Sequence, residues 1–169
     1  KESEPLQIAS GNTKQVLEAS DDEYFYGGGT QNGRFSHKGQ VIKIENTNNW
    51  VDGGVSSPNP FYWSTKGYGV LRNTFKPGAY DFQNSSNGVI TTHSEKEFDA
   101  YYFVSKAADA SQTAEELLQD YYKVTGNAIL LPEYGFYLGH LNCYNRDGWD
   151  VEKTDATLKN GKAGGHSQW

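Results

Sequence analysis

Residues 24–39 read YFYGGGTQNGRFSHKG, and the same texture continues through NTNNW at 46–50 to PFYWSTKGYGVLRN at 60–73. Glycines, aromatic rings and side-chain amides crowd this stretch, and acids and bases are scarce in it. Aromatic residues favour pleated strands, while Gly, Asn, Ser and Pro punctuate the turns between them. Gly27-Gly28-Gly29 admits positive φ or the close approach of another backbone. The stretch therefore predicts short strands, tight turns and flat polar surfaces of the kind that suit sugars. It does not look like a site that breaks bonds. A phosphate-loop reading of the glycines fails, because no Gly-Lys-Ser/Thr follows and no helical pattern starts there.

Working outward, 6–19 predicts two short strands around a Gly11-Asn12 turn. Asp21-Asp22-Glu23 reads as a solvated acidic break. Val41–Glu45 alternates apolar and polar as a half-buried strand does. Asn46–Pro60 shows no strand pattern and reads as one long loop, a class of segment that is often functional. Further strands are expected at Phe61–Ser64, Tyr68–Asn73, Ala79–Phe82, Val89–Thr92 and Phe98–Val104. This regular spacing predicts an antiparallel β-sandwich over 1–110. From Ser111 the period changes. Thr113 to Glu116 has the form of a capping box, Ala114, Leu117, Leu118, Tyr121 and Tyr122 recur at helical spacing, and Gly126 stops the helix. Pro132 then leads into Tyr134–Leu141, an apolar run short enough for a buried strand. A helix and a buried strand after a sandwich read as a linker and the truncated beginning of a second, α/β domain over 111–169.

Composition excludes several classes. At 36% apolar and 21% charged the chain can bury a core, so disorder is excluded. A net charge of −6 without a basic run makes nucleic acid a poor partner. No apolar run approaches the length of a membrane span. Cys143 is the only cysteine, so the chain holds no internal disulfide. The absence of methionine at residue 1 and the loop-like ending GKAGGHSQW give the expectation of a piece cut from a longer protein.

The ordered motifs FYGGGTQNGRF, a polar loop with NNW, PFYWSTKGYGV, a helix closed by Gly126, and LPEYGFYLGHL together resemble glycoside hydrolase family 31. That family shows yGlGEq…G.rf, then PF..s..GyGv, then pP.w.lG. The match covers roughly residues 24–145, and the GGGTQNG variant with Cys143-Tyr144-Asn145 is most similar to 6-α-glucosyltransferase and dextranase-like members. The resemblance implies a galactose-mutarotase-like sandwich, a linking helix, and a first strand of a (β/α)8 barrel at Tyr134–Leu141. It implies a double-displacement enzyme on α-glucosides whose two catalytic aspartates lie on later barrel strands. No W-x-D-x-N-E signature occurs here, so the isolated chain is expected to be inactive and to carry no catalytic residue.

Candidate binding residues follow. In the family a sandwich loop reaches over the barrel mouth, and Asn48-Asn49-Trp50 matches its position. Asn49 would bridge hydroxyls and Trp50 would lie against a sugar ring; the competing reading has Trp50 anchor the loop to the sandwich. Asn142, Cys143 and Tyr144, with His140, stand at the end of the expected barrel strand, where residues line the deepest sugar subsite. Cys143 has no nucleophile signature around it. Asp147 and Asp150 follow on the same face, and most other acids are expected on the surface. Arg34 reads as a salt-bridged or stacked arginine. His37 and His93 read as surface or hydrogen-bonded histidines, with no ligand spacing for a metal. No cofactor is expected. The partners are an α-glucan or oligosaccharide and the remainder of the barrel, and polymeric glucans would favour an extracellular or cell-surface bacterial setting. The rival reading is a stand-alone carbohydrate-binding sandwich without catalysis.

Overall fold

The structure is a computed structural model. It describes residues 1–47, 49, 51–83 and 88–136, together with the backbone of 149–150 and 166–167. Residues 1–128 form one compact unit and 129–169 another.

The first unit is built from nine antiparallel strands in two sheets. Strands β1 (Glu2–Ala9), β2 (Asn12–Leu17), β4 (Val41–Ile44), β7 (Gly78–Asp81) and β8 (Val89–His93) make a five-stranded sheet of order β1-β2-β8-β7-β4. Strands β3 (Phe25–Gln31), β5 (Val55–Ser64), β6 (Tyr68–Arg72) and β9 (Ala100–Val104) make a four-stranded sheet of order β3-β5-β6-β9. The expected sandwich is therefore present. The first hairpin turns on Ser10-Gly11, both at positive φ, one residue earlier than expected. Asn12 opens β2 instead, and its side-chain amide donates to the Ser10 carbonyl at 3.2 Å.

The inward faces close on each other. Leu17, Phe25, Ile42, Ile44, Tyr62, Val70, Tyr80, Phe82 and Val89 form one cluster drawn from both sheets. Its centre is aromatic: Tyr62 and Tyr80 meet edge-on at 5.5 Å between centroids, and Phe25 stacks on Phe82 at 4.7 Å. Alternation in β4 explains its placement, since Ile42 and Ile44 are buried while Val41 and Lys43 are exposed.

The outward face of the four-stranded sheet is covered by helix α1 (Ala110–Thr125). Leu117 is buried against Phe61, Leu71 and Phe103, and Tyr121 stacks on Phe61 at 4.3 Å. The helix begins earlier than its sequence predicts. Asp109 is the N-cap, accepting from the Gln112 amide at 2.9 Å. Thr113 is buried rather than capping, and Glu116 accepts from Ser105 Oγ at 2.6 Å and the Lys106 amide at 3.2 Å, tying the helix to the end of β9. Gly126, at φ 89°, closes the helix by donating to the Tyr122 carbonyl at 2.8 Å, as expected.

Two further readings change. The loop after β4 ends at Gly54, because Val55–Pro60 is strand. Prolines 58 and 60 are tolerated because this half of β5 pairs only with β3, whereas β6 joins from Phe61 onward. A proline lacking its N–H is harmless on an edge of that kind. In the second unit, Glu133–Phe136 is a 3-10 turn closed by a Gly135 amide to Pro132 carbonyl bond at 2.8 Å, with Tyr134 exposed. The first three residues of the expected barrel strand are therefore not strand, and 137–141 lie outside the described residues. Trp149–Asp150 pairs antiparallel with His166–Ser167, a pairing the sequence did not announce.

Candidate functional site

The segment between β4 and β5 carries the candidate loop, residues 45–54. Asn32, from the GGGTQNGRF motif, clamps it with four hydrogen bonds. Its side-chain amide donates to the Asn49 carbonyl at 2.6 Å, and its side-chain oxygen accepts from Ser56 Oγ at 3.1 Å. Its backbone amide donates to the Gly54 carbonyl at 3.0 Å, and its carbonyl accepts from the Gly53 amide at 2.9 Å. Asn49 and Thr47 both reach the Val55 carbonyl, at 3.2 and 3.3 Å, and the Gly54 amide closes a turn onto Val51 at 2.8 Å. Arg34 adds a brace by donating to the carbonyls of Val41 at 3.2 Å and, more weakly, Gly53 at 3.5 Å. Arg34 thus braces backbone in place of the expected ion pair or aromatic stack.

The glycine triplet lets β3 approach β5 closely enough for this clamp. Gly29 sits at φ 75°, and a Cβ there would stand 2.1 Å from the Ser57 carbonyl oxygen. Gly27, at φ 108°, would place one 2.5 Å from the Phe61 carbonyl oxygen. The pairing slips between these two residues, as at a bulge. Gln31 is buried and secures the bulge by donating to the carbonyls of Gly28 and Lys43, each at 2.9 Å.

Asn49 is exposed on this clamped loop, and its side-chain oxygen accepts from the Val51 amide at 3.3 Å. Asn48 and Trp50 lie outside the described residues, as do His140, Asn142, Cys143, Tyr144 and Asp147. Of Asp150 only the backbone, in the short pairing with His166, is described.

Several chemically conspicuous residues prove structural. His37 is buried; its Nε2–H donates to the Gly27 carbonyl at 2.7 Å and leaves Nδ1 without a partner. His93 is buried too, donating from Nδ1 to the Lys76 carbonyl at 2.9 Å and accepting at Nε2 from the Tyr80 hydroxyl at 2.9 Å. Burial pushes both imidazoles below their ordinary value. Glu23 is no part of a solvated break. It is buried, accepting from the Ser64 hydroxyl and from the Ser20 amide at 3.0 Å, while its neighbour Asp22 stays outside and pairs with Lys66 at 2.6 Å. Sequence reasoning also passed over Arg72. It is fully buried, pairs with Glu95, donates to Thr13 Oγ1 at 3.1 Å and covers the Phe98 ring at 4.0 Å. Among the described residues no three His, Cys, Asp or Glu side chains cluster as a metal would require, and no helix is long and apolar enough to cross a membrane.

Residues 3–81 match the family described as the glycosyl hydrolase 31 N-terminal galactose mutarotase-like domain. An alpha-xylosidase of Emericella nidulans is 32% identical over 135 residues, which is 76% of this chain and 16% of that protein. Solved structures share the fold. The dextranase of Flavobacterium johnsoniae complexed with glucose aligns at a TM-score of 0.62 and 18% identity, over 76% of this chain and 16% of its own. The cycloalternan-forming enzyme of Listeria monocytogenes, in complex with a pentasaccharide substrate, aligns at 0.62 and 19%, over 74% and 12%. The chain thus spans about one-sixth or less of the length of these relatives. The ordered motifs, the mutarotase-like sandwich and the match over 3–81 agree: this chain carries the N-terminal domain of glycoside hydrolase family 31.

Proposed function

We propose that this chain is the N-terminal part of a retaining glycoside hydrolase or transglucosidase acting on α-glucosides, and that it supplies one wall of the substrate pocket. The observation that carries the reading is the Asn32 clamp, which fastens an amide-rich loop at Asn49, Gly53 and Gly54. A pre-organised loop presents hydrogen-bonding groups to a ligand without a large ordering cost on binding. Asn49 bridges sugar hydroxyls and Trp50 stacks on a ring. Asn142, Cys143 and Tyr144 line the deepest subsite once the rest of the barrel is joined to them.

The reaction itself belongs to residues beyond this domain. Retention needs two carboxyls about 5–5.5 Å apart across the scissile bond. Glu23, Glu95, Asp109 and Glu116 are each engaged in holding the sandwich or its helix. The isolated chain is therefore expected to release no nitrophenol from p-nitrophenyl α-glucoside, and enzyme-dependent turnover would overturn this division of labour. A Trp50→Ala variant that kept its melting temperature and its affinity for isomaltotriose would overturn the pocket role.

The 32% identical alpha-xylosidase favours a second substrate class, α-xylosides. Glucose and xylose differ at one exocyclic hydroxymethyl group, so the same loop can face either. Competition between isomaltotriose and an α-xyloside for the chain separates the two.

A further inference from the structure

A groove of about 380 Å³ lies beside the candidate loop, between the end of β4, the first half of β5 and the connection from β6 to β7. Phe75 forms one wall and is wholly exposed. Pro58 and Pro60 add apolar lining, and Glu45 and Lys76 add an acceptor and a donor. A single exposed aromatic on a protein surface is ordinary. The support beneath this one is not.

The connection that carries Phe75 is fixed at both ends. The Asn73 amide donates to Asp99 at 3.0 Å, the Thr74 amide to Arg72 at 2.9 Å, and the Ser94 amide to Pro77 at 2.9 Å, all to backbone carbonyls. Within the turn, the Lys76 amide donates to Thr74 Oγ1 at 3.1 Å, and buried His93 holds the Lys76 carbonyl at 2.9 Å. Gly78 permits this closeness, because a Cβ there would stand 2.5 Å from His93 Nδ1. The backbone that carries the ring is thus fixed, and the ring itself projects into solvent. A fixed backbone loses little freedom on contact with a ligand.

An apolar lining that also carries a charged donor and acceptor matches a pyranose, whose two faces carry C–H groups and whose edge carries hydroxyls. The groove is also continuous with the candidate loop, since Glu45 and Asn46 belong to both. We propose that the groove is a second saccharide subsite, in which Phe75 stacks on a sugar ring while Lys76 and Glu45 hydrogen-bond its hydroxyls. This rests on the reading that the 45–54 loop faces substrate, and it extends the binding surface from that loop across to the β6–β7 connection.

The test is an amide-resolved NMR titration of the 169-residue chain with isomaltotriose. Expected are shifts at Ser57, Thr74, Phe75 and Lys76, and an affinity about tenfold weaker in Phe75→Ala, the scale of one lost aromatic contact. Phe75→Leu should lose less, and both variants should keep the parent melting temperature because the ring touches no core. Shifts confined to 49–54 overturn the groove and leave the loop standing. Shifts in the groove that persist in Trp50→Ala, with none in the loop, overturn the loop and leave the groove. No shift in either at millimolar sugar overturns both, and unchanged affinity in Phe75→Ala overturns the stacking role.

Discussion

Strand β5 is two strands in one. From Phe61 to Ser64 it lies between β3 and β6 and is buried on alternate faces, Tyr62 toward the other sheet and Phe61 toward the helix. From Val55 to Pro60 it pairs with β3 alone, carries two prolines and fronts the groove. The first half builds the domain and the second half is available to build a site. The difference teaches that a fold need not add a separate loop to line a groove. It can let a core strand run beyond its second neighbour and use the free edge.

The comparison can be broken at three points. The largest effect belongs to the buried half. Tyr62→Ala should cost about 3–5 kcal/mol, as large-to-small changes of aromatic core residues do, read by urea denaturation; a loss below about 1 kcal/mol would mean that the two halves do not differ as described. The next belongs to the joint. Gly29→Ala should cost roughly 1–3 kcal/mol from its left-handed backbone, and more from the Cβ that would stand 2.1 Å from Ser57. It should also weaken saccharide binding, because it parts β3 from the site half of β5. A variant of parental stability would show that the close approach is not needed.

The smallest effect concerns pH. The Tyr80 hydroxyl lies 3.2 Å from the Pro60 carbonyl, at the junction of the halves, and 2.9 Å from His93. His37 and His93 both have imidazole pKa values lowered by burial. The unfolded chain therefore binds protons more readily than the folded one, and stability is complete above the ordinary histidine value of about 6.5. It falls as pH drops from there toward the lower folded values. Melting temperature should be flat from about pH 6.5 to about pH 9, where tyrosine begins to ionise, and decline below about pH 6.5, before the carboxylates titrate at about pH 4. His93→Gln should reduce the decline, and a flat profile down to about pH 5 would sink the linkage.

Much of this architecture was legible. Val41–Ile44 alternates by eye, the glycine triplet announced positive φ, and the ordered motifs named the family. What was misread shares a physical cause: the deciding partner lies far along the chain or on only one side. Pro58 and Pro60 argued against a strand because the sequence does not say which edge of β5 is free. Asp109 and Gln112 have the same three-residue spacing as Thr113 and Glu116, and only the burial of Thr113 decides between them. Arg72 carries no local mark of being buried, since Thr13 and Glu95 are 59 and 23 residues away. In the candidate site, the loop position was readable and its fastening was not. The four partners of Asn32 lie across the 45–54 loop and at Ser56, and nothing adjacent to it in sequence announces them. Phe75 carries no local mark of its place at the groove. Trp50 and 142–144 fall outside the described residues, so their roles stand as proposals.

The Asn32 clamp has a consequence for how this surface can change. One side chain and its own backbone fasten the loop at Asn49, Gly53 and Gly54, close to where it rejoins β5. Of the residues between Asn46 and Asn49, the described Thr47 meets a sheet through one hydrogen bond, to the Val55 carbonyl. Lengthening a surface loop costs little chain entropy, so insertions or deletions there should leave the sandwich folded while reshaping what the tip can touch. The domain is in that sense a socket with an interchangeable fitting, in which loop length can drift without renegotiating the core.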